Sequence, residues 1–92
     1  MGTKRIRRAA AQGRIEYTTH AFEEMDKDDL TISDVRSVLL HGRLVARLRG
    51  DVRGERLLVR GSLAGDASEV EVICRFPGSG KLSIITVYRL ED

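Results

Sequence analysis

The sequence predicts an α+β domain in which two or three N-terminal helices pack on one face of a four-stranded, mainly antiparallel sheet. Apolar residues recur at helical spacing before Gly42, and the hydrophobic period changes to two after it. The predicted strands are joined by short turns rich in glycine, which favours antiparallel neighbours. Residues 1–92 are expected to form a single domain, because the chain is too short for two.

The first helix is predicted over residues 3–12. Ala9-Ala10-Ala11 are strong helix formers, and Gly13 is typical of the position just beyond a helix. Ile6 is the only large apolar residue of this helix, so weak packing is expected. Residues 14–17 are interpreted as a short extended link.

Two further helices are predicted before Gly42. The second begins at Thr18 or Thr19 and continues roughly to Asp28, with an apolar stripe along one face. The third begins at Thr31-Ile32-Ser33-Asp34, which fits a capping box with an acid at the fourth place. Gly42 follows its last turn and is a stop signal.

Four strands are predicted in the second half of the chain, because apolar and polar residues alternate there. The last strand is nearly continuous in apolar residues, which favours a place in the middle of the sheet. The predicted strands span residues 44–49, 56–60, 69–76 and 82–90.

Composition and charge exclude several classes of protein. The chain is 41% hydrophobic and 33% charged, which is typical of a globular protein and not of a disordered one. The net charge of +2 conceals a basic block at residues 3–14, an acidic block at 23–34 and a second basic block at 43–60. The acidic block lacks the spacing of a calcium loop, so no metal is predicted.

The expected location is the cytoplasm. Cys74 is the only cysteine and cannot form an internal disulfide, which is compatible with a reducing compartment. The charged N-terminus is not followed by the apolar stretch of a signal peptide. No apolar run approaches the length of a membrane span, so no membrane partner is expected.

Strand alternation places a polar set of side chains on the face away from the helices. The residues predicted to face the helices are Leu57, Val59, Val70, Val72, Cys74, Ile85 and Val87. The residues predicted to share the open face are Arg56, Arg60, Glu71, Arg75, Thr86 and Tyr88.

This polar face has two interpretations. Three guanidinium groups can bind phosphate and stabilise a phosphorane, Glu71 could hold an arginine or act as a base, and Tyr88 could stack on a base or donate a proton. His20, at the start of the second helix, could be a neutral general base or a surface residue. The alternative is a solvated face with arginine–glutamate pairs across the strands, and composition alone favours it.

Several short motifs occur in a fixed order between about residues 5 and 90. They are Tyr17-Thr18-Thr19-His20-Ala21, Glu24-Met25, Asp28-Asp29-Leu30-Thr31, Asp34-Val35, Val38-Leu39, Gly42, Arg56, Arg75 and Ile84-Ile85-Thr86-Val87-Tyr88. Together they resemble a bacterial family catalogued as a domain of unknown function. That family looks like a distant branch of the RelE, BrnT and MqsR group of small toxins.

The resemblance implies a metal-independent ribonuclease, acting on free RNA or on mRNA at the ribosome without a cofactor. Attack of a 2′-OH on the neighbouring phosphate needs a base, an acid and positive charge around the phosphorane. In this reading Arg56, Arg60 and Arg75 bind phosphate. His20 or Glu71 is the base, and Tyr88 stacks or acts as the acid. The implied partners are an antitoxin of the helix-turn-helix or zinc-ribbon type, RNA and the ribosome.

Two other functions remain open from the sequence. The arginine face could belong to a non-catalytic module that docks a nucleic acid or an acidic segment of another protein. The chain could also be a homodimer formed through a sheet edge or through the first helix.

Overall fold

A computed structural model describes residues 2–50, 52–63, 65 and 68–90. Within these ranges the chain forms three helices and five strands, and the α+β class is confirmed. The elements are, in chain order, α1 (Gly2–Ala11), β1 (Ile15–Tyr17), α2 (Thr19–Lys27), α3 (Ile32–His41), β2 (Arg43–Leu48), β3 (Arg56–Ser62), β4 (Glu69–Arg75) and β5 (Leu82–Arg89).

The sheet is mixed, with the strand order β1-β5-β4-β3-β2. Strands β2 to β5 are antiparallel neighbours as predicted, but β1 pairs in parallel with β5, with Ile15 opposite Leu82 and Tyr17 opposite Ile84. The prediction of four strands preceded by a block of helices was therefore wrong at one edge. The expected link is strand β1, which lies between α1 and α2 along the chain and has only three residues, too few to show alternation.

One face of the sheet packs against the helices and forms a core cluster with them. The strand side chains in this core include Val59, Val72 and Val87, which are opposite one another on β3, β4 and β5. The helices contribute mainly small and branched residues. The buried helical residues are Ile6, Ala9, Ala10, Ala21, Met25, Val35, Val38 and Leu39. The other side of the sheet is called the open face below.

A β-bulge in β5 changes the predicted core. Ile73 is opposite Thr86, and the next residue, Cys74, is opposite Ile84, so Ile85 is an extra residue. Ile84 is fully buried, whereas Ile85 is only half-buried. The prediction that Ile85 faces the helices was wrong because simple alternation does not allow for an inserted residue.

Helix α1 is anchored more firmly than its single large apolar residue suggests. Its end is a Schellman motif, in which the Arg14 N–H donates to the Ala9 carbonyl (2.9 Å) and the Gly13 N–H donates to the Ala10 carbonyl (3.3 Å). Gly13 has the positive φ of 71° that this motif requires. The Arg36 Nε of α3 also donates to the Ala10 carbonyl at 3.0 Å, which joins the two helices.

Side-chain caps set the start of the other two helices. Thr18 Oγ1 accepts the Ala21 N–H at 3.0 Å and donates to the carbonyls of Ile84 and Ile85, at 3.0 and 3.1 Å. Thr31 and Asp34 form the predicted capping box through two 3.0 Å hydrogen bonds. None of the described helices has the length and apolar character needed to cross a membrane.

Candidate functional site

A row of polar side chains crosses the open face of the sheet from β2 to β5. Arg43 is opposite Arg60, Arg60 is opposite Glu71, and Glu71 is opposite Tyr88. Residues directly opposite one another on antiparallel strands place their side chains on the same face, about 5 Å apart at Cβ. These four residues, Arg43, Arg60, Glu71 and Tyr88, are called the polar row.

Three members of the polar row are joined by hydrogen bonds. The Arg60 Nε donates to Glu71 Oε2 at 2.8 Å, and the Arg60 Nη2 donates to the same oxygen. The Tyr88 hydroxyl donates to the other carboxylate oxygen, Oε1, at 2.5 Å. Arg60, Glu71 and Tyr88, called the triad, therefore form one unit across three strands.

Glu71 lies at the centre of the triad and is 5% exposed, which is unusual for a carboxylate. Burial raises its pKa, but the hydrogen bonds from Tyr88 and Arg60 and the positive charge of Arg60 outweigh burial and lower the pKa overall. The carboxylate is thus ionised near neutral pH, and each of its oxygens accepts a hydrogen bond. This arrangement suits a residue that positions its neighbours better than one that removes a proton.

Tyr88 is held in its protonated form. The hydrogen bond to Glu71 raises the pKa of Tyr88 to about 12, with smaller contributions from burial and from the negative charge of Glu71. Arg60 lowers the pKa of Tyr88, but the effect is smaller. Near neutral pH the open face therefore presents a protonated phenol and a guanidinium on either side of one buried carboxylate, and both donate hydrogen bonds to that carboxylate.

Arg56 and Arg75 lie on the same face but at the opposite end of the sheet. Arg56 is opposite Leu48, and Arg75 is opposite Ser83, in the last β4–β5 pair before the turn. At about 3.3 Å per residue, Arg56 is roughly 13 Å along β3 from Arg60. The structure therefore places the three predicted arginines on one face without bringing them to one point.

An apolar pair separates these two ends of the open face. Leu58 is opposite Ile73 on the neighbouring strand, and both side chains are half-buried. Arg60 is held by Glu71, and Arg75 lies four residues further along β4, or roughly 13 Å. An extended polyanion can follow the face from one end to the other.

His20 lies in the helix layer, away from the triad. It is the second residue of α2, and its side chain is exposed. Helix α2 packs against the other face of β5 through Ala21 and Met25. The sheet thus separates His20 from the polar row, and the structure does not bring this predicted base to Tyr88.

Arg43 belongs to the polar row but was not among the predicted site residues. Strand β2 begins at Arg43, one residue before its predicted start. The side chain is exposed beside Arg60 and adds a second positive charge to the row. A β-bulge between Leu44 and Ala46 puts Arg43 and Arg47 on opposite faces of the sheet, so simple alternation along β2 could not have assigned Arg43 to the polar row.

Metal binding and thiol chemistry find no support in the part of the chain that the structure describes. No three His, Cys, Asp or Glu side chains there lie together as metal ligands would. Cys74 is buried in the core, and burial raises the pKa of its thiol to about 12. Its Sγ faces the Leu57 carbonyl at 3.7 Å, as expected of a small core residue.

Comparison with known proteins gives one match. A family model described as a domain of unknown function, DUF4258, matches residues 17–89, which include α2, α3, the strands β2 to β5 and the whole polar row. No curated protein and no solved structure matches the chain.

Proposed function

We propose that this chain, which belongs to the DUF4258 family of domains of unknown function, is a toxin-like ribonuclease of a toxin–antitoxin pair. The observation that supports this proposal most strongly is the triad. A buried carboxylate holds a guanidinium and a protonated phenol side by side on an open, basic sheet face. A fixed guanidinium suits a phosphate that gains negative charge during a reaction, and a protonated phenol beside it suits the role of general acid.

The proposed reaction is attack of a ribose 2′-OH on the adjacent phosphorus. The O2′–P bond forms, the P–O5′ bond breaks, and the products are a 2′,3′-cyclic phosphate and a 5′-OH. Arg60 donates to the phosphorane oxygens from the guanidinium N–H groups that do not bind Glu71. The single Tyr88 O–H, which donates to Glu71 in the absence of substrate, turns to the leaving oxygen and protonates it, and water takes the 2′-OH proton. Glu71 is a positioning residue in this scheme, and Arg43 adds positive charge beside the reacting phosphate.

The proposal is tested with purified protein, free RNA and mRNA bound to ribosomes. Tyr88→Phe removes the proposed general acid, and a group of this kind contributes about 100-fold or more to turnover in other enzymes. Arg60→Ala should reduce cleavage further, because it also leaves Glu71 without its charged partner. Wild-type protein that leaves both kinds of RNA intact would contradict the proposal.

Two matched controls separate chemistry from folding. Tyr17→Phe changes the only other tyrosine, whose hydroxyl has no hydrogen-bond partner among the described residues, and should leave cleavage unchanged. Lys27→Gln removes an exposed cation of α2 that pairs with Glu24, far from the polar row. Equal losses in these controls and in the triad variants would show that the effect is not specific to the triad.

A second candidate is a module that binds RNA, or an acidic segment of a partner such as an antitoxin, without cleaving it. One observation favours it. Within the described residues, Glu71 is fully engaged and His20 lies in the other layer, so the triad has no base of its own. Wild-type protein that binds RNA, loses this binding in Arg60→Ala and releases no cyclic phosphate would support this candidate over the ribonuclease.

A further inference from the structure

A small basic cavity lies between the end of α1 and the β4–β5 turn, at the end of the molecule opposite the triad. Its volume is about 160 Å³, and its lining includes Arg5, Arg8, Arg14, Gln12 and Phe76. Three of the lining residues are arginines, and none is acidic. This cavity is called the α1 pocket.

The guanidinium of Arg5 has a defined position in this pocket. It stacks over the Phe76 ring, with its Cζ 3.8 Å from the ring centre. Such stacking holds the cation in place while its N–H groups still point to the edge of the ring. Phe76 directly follows β4, so the end of this strand sets where one cation lies.

Among the described residues, the backbone carbonyls near the pocket do not bind the guanidinium groups of Arg8 and Arg14. The last carbonyls of α1 already accept hydrogen bonds from Gly13, Arg14 and Arg36, through the Schellman motif and the Arg36 side chain. Neither Arg8 nor Arg14 takes part in an ion pair within the part of the chain that the structure describes. Both side chains are exposed and can turn toward a ligand.

We propose that the α1 pocket binds one phosphate group of an RNA strand and anchors that strand away from the triad. The volume is below the range of about 300–1,000 Å³ that is typical of pockets for drug-sized ligands, so a single small group is the better fit. Arginine forks match the oxygens of phosphate through paired hydrogen bonds. The inference rests on the proposed function in one respect, namely that RNA is the polyanion.

The α1 pocket lies on the helix side of the sheet, so an RNA strand bound there passes round the β4–β5 turn to reach the open face. Arg56 and Arg75 lie on that face at the same end of the sheet as the α1 pocket. Gly80, which lines the pocket, is eight residues from Tyr88, or roughly 25 Å at the rise of a β-strand. An RNA of about eight nucleotides spans this distance even at the compact spacing of about 3.4 Å per phosphate.

The test measures binding of a fluorescent eight-nucleotide RNA by anisotropy. A Tyr88→Phe background is used throughout, so that cleavage does not interfere. The variant Arg8→Gln/Arg14→Gln should weaken binding about tenfold, the effect of losing one charge-assisted hydrogen bond of ordinary strength. The dependence of log K on log salt should become shallower by about one, as expected for the loss of one phosphate contact.

The matched control combines Lys27→Gln with Arg43→Gln, which removes the same net charge from sites outside the pocket. It should reduce affinity through the polar row, but it should leave the effect of the Arg8 and Arg14 substitutions unchanged when all four are combined. Circular dichroism checks that the fold persists in each variant. An unchanged affinity or salt slope in Arg8→Gln/Arg14→Gln overturns the inference. An acidic peptide that competes as well as RNA of equal charge also overturns it.

The outcomes distinguish this inference from the ribonuclease proposal. Without the Tyr88 substitution, Arg8→Gln/Arg14→Gln should raise KM for the eight-nucleotide RNA about tenfold and leave kcat unchanged. If the Arg8 and Arg14 substitutions weaken RNA binding but the wild-type protein never cleaves RNA, the ribonuclease proposal is contradicted and the anchor proposal is supported. If the wild-type protein cleaves RNA but these substitutions change neither KM nor affinity, the anchor proposal is contradicted and the ribonuclease proposal is supported.

Discussion

Gly42 and Gly61 pack backbone against backbone where α3 meets β3. A Cβ on Gly61 would lie 3.2 Å from the Gly42 Cα. A Cβ on Gly42 would lie 2.6 Å from the carbonyl oxygen of Arg60 and 2.5 Å from that of Val38. Gly42 has an ordinary φ of −77°, so close approach and not backbone conformation requires glycine at the end of α3.

Gly42→Ala should destabilise the fold by about 1–3 kcal/mol, the usual cost of forcing a methyl group into a packed site. The displaced backbone is that of Arg60, so the substitution should also disturb the triad. Urea denaturation measures the free energy of unfolding. Gly65→Ala is the control, because a Cβ there meets no atom within 4 Å. Equal stability of the two variants would show that this contact can relax.

Thr18 should matter more to stability than Thr31, although both begin helices. Thr18→Ala removes the cap of α2 and the hydrogen bonds to the bulge at Ile84 and Ile85, for a loss of about 2–3 kcal/mol. Thr31→Ala removes only a cap, for about 1 kcal/mol. Thermal or urea unfolding measures both. Thr18→Ser keeps the hydroxyl and should recover most of the lost stability. If Thr18→Ser lowers the free energy of unfolding as much as Thr18→Ala does, the hydrogen bonds of the hydroxyl are not the cause of the loss.

The triad should be visible in a tyrosine titration. In a Tyr17→Phe variant only Tyr88 contributes phenolate absorbance, and its midpoint should lie near pH 12. Adding Glu71→Gln should lower that midpoint toward the ordinary value of about 10, because the hydrogen bond to the carboxylate is the largest cause of the raised pKa. An unchanged midpoint would mean that the hydrogen bond does not form in solution.

The pKa shifts of Tyr88 and Glu71 determine the pH range over which the triad stabilises the fold. The pKa of Tyr88 is raised on folding, so its contribution is complete below about pH 10 and is lost as the pH rises toward 12. The pKa of Glu71 is lowered on folding, so its contribution is complete above its ordinary pKa of about 4.3 and is lost at more acidic pH. Denaturation across this range should show both losses in the wild type and a smaller acid loss in Glu71→Gln.

Cys74 should be inert in the native protein. Its thiol is buried, and burial raises the pKa to about 12, so little reactive thiolate forms near neutral pH. A thiol reagent such as DTNB should label it only as fast as the protein opens. Labelling in urea should therefore follow the unfolding curve. Immediate labelling without denaturant would contradict the burial of Cys74.

The parts of the fold that local signals specify were predictable from the sequence. The capping box at Thr31 and Asp34 and the stop at Gly42 each depend on residues close together in the chain, and α3 begins and ends where they indicate. Strands β3 and β4 were recognisable because alternation persists over seven residues in each, and β5 was recognisable as a nearly continuous apolar run.

Features that depend on distant partners were not predictable. β1 is a strand because its three residues pair with β5, nearly seventy positions later in the chain. The bulge at Ile85 also depends on distant residues. It arises where β5 pairs with β4, and the Thr18 side chain at the start of α2 donates to the carbonyls of Ile84 and Ile85.

Alternation predicted which side chains share the face of the candidate site, but it did not predict which of them lie close together. Alternation correctly assigned Arg60, Glu71 and Tyr88 to one side of the sheet. The register between strands decides which arginine meets Glu71, and no single-strand pattern contains it. Alternation also assigned Arg56 and Arg75 to this face, but only the register shows that they lie at the end of it far from Glu71.

The position of β5 has a consequence for synthesis of the protein on the ribosome. This strand lies between β1 and β4, so the first strand of the chain has no partner until residues 82–84 have been made. Tyr88 also reaches Glu71 only when β5 is in place. The nascent domain therefore cannot complete either its sheet or its triad before β5 has been made. Folding of this domain is expected to be slowed by the long loop that β1 and β5 must close.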